Sequence, residues 1–255
     1  MSVERKNRTN IKSVLSDHPR NTPVTATWLL SRGITRDMVR NYLENGWLTR
    51  IGNGAYRILN EAVTLDGALS TLQSELNLSA HKGAWTALNE VHGKAHNLFA
   101  ERQTIIFASR GEKLPVWFKD AYRTSYTCRC TNFLPSGLGL MEAKYDGFTS
   151  LVSGPERALL ELMYLCPHVY TTRECYQIME LMMTIKPGTL QELLEASTSI
   201  KVNRLFLYLA ETVGHGWFKR LDSSRIALGT GVREIVKGGR YESTYHLVID
   251  EVRAI

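Results

Sequence analysis

Residues Leu30–Tyr56 read LSRGITRDMVRNYLENGWLTRIGNGAY, and this run decides the N-terminal fold. Gly33 sits where a helix ends in a left-handed residue, and Ile34 is the apolar residue of the turn that follows. Thr35 is an N-cap, with Asp37 in the first turn behind it. The spacing of Met38, Val39, Tyr42 and Leu43 predicts a helix over roughly Arg36–Asn45 that buries one stripe and stops at Gly46. Arg36, Arg40 and Asn41 are left on its outer face. Trp47–Ile51 is strand-like, Gly52-Asn53-Gly54 is a turn, and Ala55–Ile58 is strand-like again. This is a short hairpin with Arg50 and Arg57 flanking a Gly-rich tip.

Upstream of that run, Thr25 is placed to cap a helix carrying Trp28, Leu29 and Leu30. Ile11, Val14 and Leu15, at i, i+3 and i+4, predict a first helix that Pro19 helps to stop. Three short helices followed by a two-stranded wing make a winged helix-turn-helix, placed at residues 1–60. The charge is concentrated in the same place. Through Leu59 the chain has ten Lys or Arg residues against four acids, a surplus of six. The whole chain also carries a net charge of +6, so residues 60–255 are neutral. A concentrated basic face is what a phosphate backbone attracts, and double-stranded DNA is the expected partner.

The side chains left exposed suit that partner. Arg can give two hydrogen bonds to guanine and Asn two to adenine, so Arg36, Arg40 and Asn41 are the candidates for base edges in the major groove. Thr25, Thr27 and Thr35 near helix starts, with Arg50, Asn53 and Arg57 in the wing, are the candidates for phosphates.

The same residues carry a resemblance. The pattern of G-I-T (Gly33-Ile34-Thr35), helix, G-W-L (Gly46-Trp47-Leu48), then R-I-G-x-G-x-Y (Arg50 to Tyr56) resembles the N-terminal domain of the AbiEi family. These are antitoxins of abortive-infection, type IV toxin–antitoxin pairs. Ser153-Gly154-Pro155-Glu156-Arg157-Ala158-Leu159-Leu160-Glu161 resembles the family's second domain. The resemblance implies a transcriptional autorepressor that binds inverted repeats in its own promoter. It also implies a C-terminal domain needed to antagonise a nucleotidyltransferase-like toxin, by contact or only functionally.

Residues 61–255 read as a mixed α/β domain, so the whole is α+β. A connecting helix runs to about residue 76 with Leu65, Leu69, Leu72 and Leu76 on one face, and a further helix passes through Trp85, Leu88 and Val91. Strands are predicted at Thr104–Ala108, Tyr122–Cys130 and Leu140–Phe148. Helices follow at Glu156–Cys166, Arg173–Thr184, Leu190–Ser197 and Val202–Val213, and a terminal strand at Tyr241–Val248.

Chemistry is not expected there. His92 and His96 have the i, i+4 spacing of metal ligands, but Gly93 intervenes and no H-E-x-x-H glutamate is present. Glu142-x-Lys144 on a strand is half of a PD-(D/E)xK nuclease pattern, whose other acid is missing in the expected form; Glu112 and Asp120 are candidates only by proximity. Ser153–Arg157 reads as a helix start, with Pro155 at the first position and Arg157 paired to Glu161 four residues on. Gly229-Thr230-Gly231 and Lys237-Gly238-Gly239-Arg240 lack phosphate-loop context and read as turns. Cys128 and Cys130 have C-x-C spacing, and the four cysteines form neither a disulfide framework nor a C-x-x-C zinc site. No cofactor or metal is expected. The alternatives to an antitoxin repressor are a nuclease targeted by the winged helix, and a ligand-sensing transcription factor without a toxin.

Composition fits a globular protein, at 44% hydrophobic and 22% charged. No apolar run is long enough to span a membrane. The opening MSVERKNRTNIKS has no apolar core, so no secretory signal is expected and the cytoplasm is the expected location.

Overall fold

The computed structural model describes residues 15–93 and 103–252. The contacts divide the chain into two compact units. The first takes residues 1–80 together with 112–126 and 142–150, and the second takes 81–111, 127–141 and 151–255. The predicted first helix falls on Ile11 and Val14, outside the described residues. Of its three apolar positions only Leu15 is described, and it packs on the core of the first unit.

The first unit opens with strand β1 (Val24–Thr25), helix α1 (Ala26–Ser31), helix α2 (Arg36–Glu44) and the hairpin β2 (Leu48–Gly52) and β3 (Ala55–Ile58). The predicted caps are in place. Thr25 accepts from the Trp28 N–H, and Thr35 accepts from the Met38 N–H. Gly33 and Gly46 take the left-handed conformation, φ 79° and 72°, that ends each helix. The wing is antiparallel, with Arg50 opposite Tyr56 and Thr49 opposite Arg57. β1, a strand the sequence reading lacks, adds a third strand through Val24 opposite Tyr56 and Thr25 opposite Ala55. Two residues after a proline are too few to show alternation.

Val24, Leu29, Ile34, Val39, Leu48 and Tyr56 form the core of this module, with Trp28, Met38, Tyr42, Leu43 and Ile58 packed around it. Each fully buried aliphatic chain contributes about 1.5–3 kcal/mol. α2 is thus fixed by a buried stripe and not by its own propensity, since nine residues are marginal as an isolated helix.

Helix α3 (Leu65–Ser74), capped by Thr64, follows in the same unit. So does helix α5 (Val116–Ala121), which the periodicity does not predict: its β-branched and aromatic start reads equally well as strand. Only Tyr126–Cys130 of the predicted Tyr122–Cys130 strand is extended, because Tyr122 ends α5.

In the second unit, β4 (His81–Lys82) leads into helix α4 (Ala84–Thr86), which continues as a π-helical turn over Ala87–Val91. A five-stranded sheet has the order β6 (Tyr126–Cys130), β5 (Thr104–Ala108), β4, β8 (Phe148–Ser153), β7 (Leu140–Tyr145), of which residues 126 and 142–150 are counted with the first unit. β4 runs antiparallel to β5 and parallel to β8. The single strand predicted over Leu140–Phe148 is a hairpin, β7 and β8, turning through Gly147 at φ 88°. Helices α6 (Pro155–Leu165), α7 (Thr172–Leu181), α8 (Pro187–Ala196) and α9 (Ile200–Val213) bury one large core. The chain then forms a small sheet, β10 (Arg240–Glu242), β11 (Leu247–Ile249), β9 (Arg233–Glu234), where one terminal strand was predicted.

Candidate nucleic-acid interface

The structure places most of the predicted contact residues on the surface of one small module. Arg36, Arg40 and Asn41 are exposed on α2, opposite its buried Val39. Thr27 on α1 and Thr35 at the start of α2 are exposed, as are Arg50, Asn53 and Arg57 in the wing. Arg40 lies 3.3 Å from Asp37, with both side chains mostly in solvent. Such a pair is worth about 0–1 kcal/mol, so the guanidinium can be recruited by a stronger acceptor. Asn45 bonds to the Asn41 carbonyl, leaving the Asn41 amide outside that contact.

The two wing arginines do not lie in one patch. Residues directly opposite in an antiparallel pair share a face. Arg50 therefore lies on the Tyr56 face, its guanidinium 5.8 Å from the ring centre, while Arg57 lies with Thr49 on the other face. The tip between them is tight, with Gly54 at φ 80°. Gly52 has a different reason to be glycine. A Cβ there would lie 2.6 Å from the Trp117 Cβ and 2.9 Å from its Cα, so α5 seats directly against β2.

Thr25 is the exception among the predicted phosphate ligands. It is 3% exposed, and its hydroxyl both caps α1 and donates to Glu75 Oε2 at 2.5 Å. Its backbone N–H reaches the same oxygen at 3.1 Å, and His18 Nε2 binds the other at 2.7 Å. The His18 ring lies edge-on to Trp28, 4.7 Å between centres. Thr25 thus holds the start of α1 instead of facing solvent. Glu75 is fifty residues away in sequence and gave no local signal for this role. Arg32, also absent from the predicted set, is exposed with its guanidinium 5.2 Å from the Trp28 ring. The i, i+4 spacing of Trp28 and Arg32 is the signal that could have found it.

Glu142 and Lys144 are exposed on β7. Glu112 accepts from the Ser79 N–H and hydroxyl, and Asp120 pairs with Arg123. Among the described residues no group of three or more His, Cys, Asp or Glu could hold a metal ion. His96 lies outside the described residues, and His92 bonds to the Ser153 carbonyl. Ser153 donates to Glu161, and Gly154 and Pro155 start α6 as predicted. Gly229 and Gly231 form a turn whose carbonyls accept from Arg204.

The family model described as "Transcriptional regulator, AbiEi antitoxin N-terminal domain" matches residues 7–100. The model described as "Transcriptional regulator, AbiEi antitoxin, Type IV TA system" matches residues 101–250.

The chain belongs to the AbiEi antitoxin family.

It is accordingly one of a family of transcriptional regulators and antitoxins of type IV toxin–antitoxin systems, and the family profiles cover both its halves. No curated protein matches its sequence. The fold resembles the crystal structure of the RV2827C protein from Mycobacterium tuberculosis, with a TM-score of 0.57 at 16% identity. The match covers 95% of this chain and 90% of that one, and at this identity it speaks for the fold alone. In this AbiEi chain no helix among the described residues is long and apolar enough to cross a membrane.

Proposed function

We propose that this AbiEi protein is a DNA-binding autorepressor of its own toxin–antitoxin operon, and that it antagonises a nucleotidyltransferase-like toxin without being an enzyme itself. The observation that carries the reading is the outer face of α2. Arg36, Arg40 and Asn41 stand exposed on a helix fixed by a buried stripe, beside a basic wing. Residues 1–60 are the DNA-reading module in this proposal, and residues 61–255 carry antitoxicity. α2 enters the major groove with those three side chains at base edges. Thr27, Thr35, Arg50, Asn53 and Arg57 contact phosphates, and Thr25 serves by orienting α1.

Arg50 and Arg57, on opposite faces of the ribbon, touch different phosphates in this arrangement. Inverted repeats in the promoter would be read by two copies of the chain. The test is binding of the full chain to DNA upstream of its own gene, against random DNA of equal length, across a salt series. Selective binding whose logarithm falls steeply and linearly with the logarithm of salt is expected. Equal affinity for both DNAs at every salt concentration would overturn the repressor reading. Co-expression with the product of the adjoining gene, scored by growth, tests the antitoxin half separately.

A further inference from the structure

Among the described residues, strand β6 lies at the edge of the five-stranded sheet, beside β5. Cys128 and Cys130 are two residues apart on it, and the two-residue period of a strand puts both side chains on one face. Cys130 is exposed, Cys128 is half-buried, and their Sγ atoms are 3.9 Å apart. Two neighbouring thiols can close into a disulfide or chelate a cation, and distance discriminates between them. A strand rises about 3.3 Å per residue, which sets the two Cα atoms about 6.6 Å apart. That is near the upper end of the ~4.4–6.8 Å range of disulfides, and the sulfurs would have to approach to about 2.05 Å. A tetrahedral ion with bonds of about 2.3 Å to two thiolates instead holds them about 3.8 Å apart. The two thiols share a hydrogen bond at 3.9 Å, so replacing the shared proton by a cation requires little change in their separation.

We propose that Cys128 and Cys130 form a two-thiolate site for a soft divalent cation of the zinc and cadmium kind. Binding converts two thiols to thiolates, forms two metal–sulfur bonds and releases two protons to solvent. The site assigned has two protein ligands, and water takes the remaining positions of the ion. The C-x-C spacing that argues against a closed structural zinc site thus yields an open, exchangeable one. The site is independent of the DNA-binding reading, since β6 carries none of the residues assigned to DNA.

The test is a titration of the reduced full chain with cadmium chloride, following the sulfur-to-cadmium charge-transfer absorption in the ultraviolet. The expected result is saturation at one ion per chain, with proton release, and loss of the band in both Cys128→Ser and Cys130→Ser. Zinc should compete the band away. Cys130 is exposed, so its serine variant leaves the core untouched, and circular dichroism confirms the fold of each variant. The buried Cys166 and Cys175 remain in both variants and report any background. No band in the wild type overturns the proposal. So does a band that persists in the Cys128→Ser/Cys130→Ser double variant, or conversion of the pair to an intramolecular disulfide with no metal uptake from the reduced form.

Discussion

At the scale of single residues, the DNA-binding proposal separates roles that one binding constant would blur. Arg40→Ala removes a base-edge donor, so the preference for operator over random DNA should fall by about 1–3 kcal/mol while binding to random DNA changes little. Arg57→Ala removes a phosphate contact, so both DNAs should weaken alike and the salt slope should drop by about one. Parallel titrations of the two variants on both DNAs check this, and identical profiles would refute the division. Glu75 is expected to act on stability. Its carboxylate joins His18 to the cap residue Thr25, so Glu75→Gln should cost roughly 1–3 kcal/mol in urea unfolding, because buried donors lose an ionised acceptor. The outward residues Arg36, Arg40 and Asn41 were legible in the sequence, because a buried stripe fixes by subtraction what faces out. The burial of Thr25 was not, because local spacing shows a cap but not the distant acid that occupies it.

At the scale of elements, helices α1 and α2 and the wing follow from local rules. Threonine caps, left-handed glycines and the change of period from helix to strand all act within a few residues. The elements that escaped the reading were short or depended on partners: β1 has two residues, and α5 has six with a strand-like start. The seat of β2 against α5 yields a sharp expectation. Gly52→Ala would place a methyl carbon 2.6 Å from the Trp117 Cβ, against atoms that rigid backbone holds in place. The variant should lose about 1–3 kcal/mol of stability, the cost of overpacking, with weakened DNA binding through a displaced wing. Gly137→Ala, at a glycine that, like Gly52, is not in the left-handed region but has nothing within 4 Å of its missing Cβ, is the control for the glycine-to-alanine change alone. If thermal unfolding shows Gly52→Ala no worse than that control, the close seat of the wing is refuted.

At the scale of the molecule, the second unit turns on a buried carboxylate. Glu161 is fully buried and accepts from His81, the Ala84 N–H, Ser153 and Arg157. Burial pushes its pKa up, but the bond and charge of His81, the charge of Arg157 and the Ser153 hydroxyl outweigh that and hold it below the ordinary 4.5. A carboxyl depressed on folding contributes stability that is present above its unfolded value and lost as pH falls through the folded one. Stability should therefore hold near neutrality and decline below about pH 4.5. Glu161→Gln should be less stable at pH 7 by roughly 3–5 kcal/mol, because it removes the charge that pairs with Arg157 and leaves one acceptor oxygen where four donors converge. The gap between variant and wild type should shrink in acid; a gap that stays constant from pH 7 to pH 3 would refute the assignment. The sequence by itself determined the winged module, its basic excess and the side chains α2 turns outward, because caps, periodicity and net charge are written in neighbouring residues. It also placed the start of α6 and the i, i+4 pair of Arg157 and Glu161. Only the tertiary structure decided that His81 and Ser153 complete that pair, that Glu75 occupies Thr25, and that the wing arginines face apart. Those outcomes depend on which distant groups share a buried volume, and the need to satisfy buried polar atoms selects partners that no local pattern encodes.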